Sequence, residues 1–289
     1  MAIKGRHINP QRFEKGQIKI LLILLPLALF MALPIVFIVN HAFKPMEELF
    51  AFPPSFFVRN PTLDNFTKLI KFSRSAGIPL SRYLFNSLIV TVITVSLSLL
   101  LTTCAAFAFS KIRFKGRALM LQINQIAIMF VATAVLIPRY LVIATTGLID
   151  TVLAHVLPLV AMPVALFLVK QFVDQVPDSL IEAAHLDGAT DFQVYYKIIL
   201  PIIRPAIATA MVLVFQQVWT NMETSSYFIN DESMKTVTFY MNTLVNASNG
   251  VAGQGVAAAA TLIMFIPNLA LFIICQSSVM NTMATSGIK

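Results

Sequence analysis

The chain predicts an all-α integral membrane protein, and three observations carry that prediction. Only 12% of its 289 residues are charged, against 57% that are apolar; a soluble domain carries about 25% charged residues. A large soluble core cannot absorb the deficit, because surface grows with size and something polar must cover it. Second, six apolar runs approach the roughly 20 residues that a helix needs to cross the hydrocarbon. Third, the basic residues behind the net charge of +8 gather beside alternate runs, the pattern that orients a membrane chain.

Helices are the expected spanning elements, since backbone groups in lipid must pair internally. LLILLPLALFMALPIVFIV (21–39) is free of charge. It continues into HAFKPMEELF without a small-residue cleavage site, so it reads as an anchor and not as a removable signal. The second run, LIVTVITVSLSLLLTTCAAFAF (88–109), is also free of charge. The third, ALMLQINQIAIMFVATAVLIP (118–138), carries Gln122, Asn124 and Gln125. VLAHVLPLVAMPVALFLV (152–169) is short but clean, the fifth run covers 202–219, and VAAAATLIMFIPNLALFIIC (256–275) is the sixth.

Lys4, Arg6, Arg12, Lys15 and Lys19 precede the first run, and Lys111, Arg113, Lys115 and Arg117 crowd the linker after the second. The short linker 139–151 carries only Arg139. Six transmembrane helices with both termini cytoplasmic follow, by the positive-inside rule. The expected organisation is a cytoplasmic tail (1–19), one transmembrane domain (20–289), outer loops 40–87 and 220–255, and a cytoplasmic segment 177–201. Short surface helices are expected near Asn65 and Phe66, and a flexible tip at NASNGVAGQG (246–255). Membrane anchoring accounts for the positive charge without a nucleic-acid partner. Cys104 and Cys275 lie inside apolar runs and suggest neither a disulfide scaffold nor a metal site.

Against this background 182–205, EAAHLDGATDFQVYYKIILPIIRP, is a compact charged stretch between two greasy runs. Asp178 or Ser179, after Pro177, can cap a helix start. Leu180, Ala183, Ala184 and Asp187 then share a face of mostly small side chains. Gly188 ends that helix, because glycine takes the left-handed conformation at no steric cost. Thr190 or Asp191 can cap a second helix through FQVYYKII, which Pro201 interrupts. Such a helix needs something to sit against. Lipid headgroups and intramolecular packing are alternatives, but the low basic content favours a protein partner.

Polar residues in hydrocarbon face protein or a wet cavity. The candidates are Asn86, Ser87, Thr91, Thr94, Ser98, Gln122, Asn124, Gln125, Gln216, Gln217 and Asn268. Uncharged donors and acceptors suit a neutral solute, although each can instead bond across helices. His155, with no acidic or lysine companion in its run, reads as a bonded neutral histidine. No Asp/Glu/His constellation at one depth points to a membrane enzyme, and no G-x-x-x-x-G-K-[S/T] loop points to nucleotide hydrolysis.

EAAHLDGA followed by KIILPIIRP resembles the EAA-loop signature of permease subunits in bacterial binding-protein-dependent ABC importers, the MetI-like superfamily. The match carries Glu182, Ala183, Ala184, Asp187, Gly188, Ile198, Leu200, Pro201 and Pro205. FKPMEELFAFPP (43–54), NPTLDNFTKLI (60–70), NSLIVTVITV (86–95), AFAFSKIRFKGR (106–117), IPRYLVIATTGLIDT (137–151) and NTMATSGIK (281–289) are similar to the MalG-like sugar-importer branch. One departure is WTNMETSSYF (219–228), where that branch often has Trp-Asn followed by Pro-Leu; Trp219 matches and Asn221 falls one position late.

The resemblance implies a type I ABC importer permease fold in a bacterial cell membrane. It makes Glu182, Ala183, Ala184, Asp187 and Gly188 a coupling helix seated in a groove of a cytoplasmic ATPase dimer. That dimer would hold ATP and Mg, and this chain would bind no cofactor itself. A second, MalF-like permease subunit and an outer solute-binding protein complete the implied assembly. The outer loop, with Asn246, Asn249, Gly250, Gly253 and Gln254, would face the binding protein. The cargo would be a sugar or oligosaccharide; glycerol phosphate is the alternative within the class, and an ion-coupled secondary transporter the alternative outside it.

Overall fold

The computed structural model describes residues 15–75, 77–247 and 251–286, and these are helical almost throughout, with no strand among the described residues. α1 (Lys15–Phe43) carries the first apolar run through Pro26 and Pro34. The expected short helices of the next segment are α2 (Met46–Leu49) and α3 (Asp64–Ser75). α4 (Leu80–Lys111) holds the second run in one unbroken helix, about 48 Å long at 1.5 Å per residue.

The next three runs are not single straight helices, and prolines stand at the breaks of the fourth and fifth. The third divides into α5 (Arg117–Met129), an extended step at Phe130 and Val131, a 3₁₀ turn, and α6 (Leu136–Thr145). Pro138 then falls in the first turn of α6, where a missing N–H costs nothing. The fourth divides into α7 (Val152–Val160) and α8 (Pro163–Asp174), with a bend of 46°. Pro163 forces Met162 into an extended conformation (φ −115°, ψ 93°) and so ends the preceding helix.

After α9 (Asp178–Leu186) come α10 (Asp191–Val194), a π-helical turn over Tyr195–Ile199, α11 (Leu200–Ile202) and α12 (Arg204–Trp219). The interruption falls at Ile203, with an 80° turn, rather than at Pro201. Pro201 and Pro205 each occupy the first turn of the helix that follows them. Among the described residues, α1, α4 and the last helix are each long and apolar enough to cross a membrane, and the three bent pairs satisfy the same test jointly.

The described residues of 220–255 are largely helical, and helix takes up 251–255 of the glycine-rich stretch. The segment contains α13 (Glu223–Tyr227), a 3₁₀ turn at Glu232–Met234, and α14 (Val237–Ala247). α15 (Val251–Ser286) begins early enough to include Gly253, Gln254 and Gly255. Gly255 serves packing: a Cβ there would lie 2.7 Å from the side-chain amide of Asn65. Asn65 in turn donates to the carbonyls of Ala42 (3.0 Å) and Lys44 (2.8 Å), tying α3 to the end of α1. Asn249 and Gly250 lie outside the described residues.

Two apolar clusters hold the bundle. One joins Val90, Phe107, Val169, Val173, Ile199, Ala206 and Val214 of α4, α8 and the α11–α12 region. Threonines, serines and Ala106 on the buried face of α4 let α8 and α12 approach closely. The second cluster gathers Ala42, Leu69, Tyr83, Trp219, Met241 and Ala259 at the opposite end of α4. Along α1 the side chains of Leu22, Ile23, Phe30 and Met31 stand exposed; lipid or a second membrane chain must cover such a surface.

Candidate coupling segment and polar clefts

The stretch singled out by its charge forms a helix, a glycine turn and a second helix start. α9 begins after Pro177, whose own side chain makes no cap bond. Asp178 and Ser179 therefore lie inside the first turn, and Asp178 is engaged elsewhere. Gly188 has φ +81°, the left-handed value that lets the chain turn without a Cβ clash. His185 closes the turn: Nδ1 donates to the Ala189 carbonyl at 2.9 Å, while Nε2 faces Asp191 at 3.4 Å. Thr190, not Asp191, caps the next helix, in a reciprocal capping box with Gln193.

The expected single docking face is divided. Ala184 packs inward with Ile181 against the first apolar cluster, whereas Glu182, Ala183, Asp187 and Gly188 are exposed. Three large side chains on the same segment are uncovered, Leu186 at 89% exposure, Phe192 at 73% and Tyr196 at 64%. None of the three is among the residues that carry the EAA match, although Leu186 falls within its stretch. Phe192 and Tyr196 were legible as an i, i+4 pair.

Side-chain bonds connect the segment and its approach to α4 at two places. The Lys111 ammonium donates to the Val176 carbonyl and to Asp178 Oδ1, both at 2.6 Å. That bond and the adjacent charge hold the Asp178 carboxyl below the usual aspartate range. Beyond the turn, the Tyr195 hydroxyl pairs with Thr103 Oγ1 at 2.8 Å. Tyr195 opens the π-helical turn, a feature that often marks functional joints in helices.

At the other end of α4, polar bonds fasten the segment 220–237. Asn86 donates to the carbonyls of Ser233 (2.8 Å) and Lys235 (3.0 Å), and the Val237 N–H donates to Ser87 Oγ. Arg139 pairs with Glu223 at 2.5 Å. His155 is 1% exposed; Nε2 donates to the Met234 carbonyl at 3.2 Å, and Nδ1 meets Thr224 Oγ1 at 2.8 Å. Asp150 accepts from the N–H groups of Asn230 and Asp231 and from the Asn230 amide, and these bonds lower its carboxyl pKa. The late Asn221 accepts from the N–H and hydroxyl of Thr224 and so opens α13, while Trp219 donates to the Met264 carbonyl at 3.0 Å. Asp150 and His155 bond across the fold to residues about 70–80 positions away, a pairing that no local pattern reveals.

The remaining polar candidates separate. Gln216 and Asn268 share a cleft of about 240 Å³ between α12 and α15. Asn124 lines another, of about 190 Å³, and donates to the Pro163 carbonyl at 3.3 Å. Gln122, Gln125 and Gln217 are exposed on their helices. Asn86 is committed to the two loop carbonyls, and Thr91, at 4% exposure, sits in the packed seam of α4; both bury their polarity within this chain. Asn246 and Gln254 are exposed and Gly253 is half-buried.

A bundle of proline-broken apolar helices with an exposed helix–turn–helix fits a helical membrane protein. The chain belongs to the family of binding-protein-dependent transport system inner membrane components, whose model matches residues 24–277. It is similar to the arabinooligosaccharides transport system permease protein AraQ of Halalkalibacterium halodurans, 26% identical over 262 residues that cover 89% of this chain and 90% of that one. It is 30% identical, over 203 residues, to the sn-glycerol-3-phosphate transport system permease protein UgpE of Rhizobium meliloti, covering 70% and 72% of the two chains. In fold it matches a chain from the crystal structure of a bacterial ABC transporter involved in the import of the acidic polysaccharide alginate. The TM-score is 0.77 at 20% identity, with 93% of this chain and 99% of that one covered.

Proposed function

We propose that this chain forms half of the translocation pathway of an importer for a sugar or oligosaccharide, driven through the coupling segment by a partner ATPase. The observation that carries the proposal is the projecting turn around Gly188, with Leu186, Phe192 and Tyr196 left uncovered beside Glu182. Apolar side chains exposed on a short polar segment fit a groove in another protein. Mg-ATP would be held and hydrolysed by that partner. The orientation follows the positive-inside rule, with the coupling segment and both termini cytoplasmic and 220–247 outside.

In this reading Glu182, Ala183, Asp187 and Gly188 meet the ATPase, and Ala184 backs the helix. A second permease subunit completes the pathway and covers the apolar face of α1. A binding protein approaches the outer segment, as the family description supports. The neutral clefts at Gln216/Asn268 and at Asn124 favour an uncharged carbohydrate, and the AraQ likeness supports that class. The UgpE likeness keeps glycerol phosphate as the second reading, although no cationic side chain lines either neutral cleft.

The test is to purify the chain with its co-expressed partners in lipid and measure ATP hydrolysis against binding proteins loaded with a panel of sugars, oligosaccharides and glycerol 3-phosphate. Stimulation by one or more sugar-loaded proteins is expected. Stimulation by the glycerol-phosphate protein alone overturns the sugar assignment, and no nucleotide-hydrolysing partner in an actively transporting preparation overturns the importer reading.

A further inference from the structure

We propose that Lys111 is the positioning residue that makes the coupling helix move with α4. The inference rests on the function proposed above and adds to it the element of this chain that receives the motion. Lysines beside membrane spans ordinarily anchor in water and headgroups, and Lys111 stands among four such residues in KIRFKGR. The structure gives it a different position. Its side chain is only 7% exposed, while that of its partner Asp178 is 76% exposed. The ammonium is turned inward and bridges the Val176 carbonyl, just before the coupling helix, and the Asp178 carboxylate in that helix's first turn. It is thereby withdrawn from lipid and from the face that would meet an ATPase.

Four further observations make this bridge mechanically informative. α9 makes no extensive helix–helix contact among the described residues beyond Ile181 and Ala184 against the first apolar cluster, so a polar tie adds directly to what sets its direction. The neighbouring residue ties α4 to the end of α8, just ahead of the segment: Ser110 donates to Asp174 at 2.6 Å, and Asp174 also pairs with Lys170. On the other side, between the base of α9 and the start of α12, lies a cleft of about 350 Å³ lined by Val176, Pro177, Leu180, Ile203 and Pro205. A helix tied on one flank and facing open space on the other follows the flank to which it is tied. The exit of the segment is fastened to α4 as well, through Tyr195 and Thr103. Displacement of α9 therefore reaches α4 before α12, although α12 is closer to it in sequence.

The test uses the complete assembly in lipid. Native Cys104 and Cys275 are replaced by serine and alanine, and spin labels are placed at two exposed positions, Ser179 on α9 and Leu101 on α4. Their separation is measured with and without Mg-ATP plus vanadate. In the parent, one distance distribution is expected in both states. Lys111→Met is expected to raise a detached population about fivefold or more, the lower end of ordinary coupling between sites, with the ATPase still co-purifying. Lys111→Arg should restore the parent distribution, and Asp178→Asn, at an exposed position, should reproduce part of the loss without threatening the fold. Gly188→Leu is the control for the underlying reading. If Lys111→Met and Asp178→Asn leave the distances and their response to nucleotide unchanged while Gly188→Leu disrupts ATPase attachment, the role of Lys111 is overturned alone. If Gly188→Leu is also silent, the coupling assignment falls with it.

Discussion

Gly188 offers a perturbation whose size can be worked out before it is made. Its φ of +81° lies in the region that L-residues rarely adopt, yet a Cβ built there meets nothing within 4 Å. Within this chain a side chain would therefore face a dihedral penalty and no steric one. That penalty is about 1–2 kcal/mol for an ordinary residue, a factor of about 5–30 in an equilibrium. Alanine, serine and leucine at 188 should weaken the attachment of the ATPase by a similar factor, whatever their volume. Asparagine tolerates the left-handed region and should lose distinctly less. The assay is titration of detached ATPase subunits back onto lipid-reconstituted permease, read as apparent affinity for each variant. A loss that climbs steadily from alanine to leucine, with asparagine no better than leucine, would refute this reasoning. It would mean that the partner's surface, and not the backbone of the turn, selects glycine.

Gly255→Ala should displace the Asn65 amide and leave the carbonyls of Ala42 and Lys44 without it, at about 1 kcal/mol for each net bond lost; thermal unfolding in lipid should show a drop that is not repeated when Asn65→Ala is already present. Full additivity of the two substitutions would contradict the contact. At Asp150 the lowered pKa sets the sign of a pH effect: the carboxylate's contribution is complete above the ordinary aspartate pKa and is lost as pH falls through the lower folded value. The difference in protease access to 228–236 between the parent and Asp150→Ala should therefore stay constant from about pH 8 to pH 5 and shrink only below about pH 4, where the two converge.

What was legible in the sequence was whatever one element decides alone. Apolar length located the helices. Gly188 and Thr190 announced their turn and cap through local backbone chemistry. The helix breaks at Met162 and Ile203 depended on prolines that were visible, but run length alone smoothed over them. Lys111 was read as an anchor because its number and neighbours are those of an anchor; only the placement of Asp178 and the Val176 carbonyl turned it inward. Asn86 illustrates the same limit. A polar residue at a helix end has the same pattern whether it lines a path or clamps a loop, and its acceptors lie nearly 150 residues away. Gly253 and Gly255 looked like a flexible tip by composition, yet the early start of α15 and the close approach of Asn65 use them as helix and packing glycines.

All of the mechanism depends on the segment around Gly188 facing the compartment where ATP is held. The most direct measurement places a single cysteine at Leu186, which is 89% exposed, and labels it with a membrane-impermeant maleimide in right-side-out and inside-out vesicles. The account predicts modification only in inside-out vesicles, with protection when the ATPase is bound. Modification in right-side-out vesicles would contradict it.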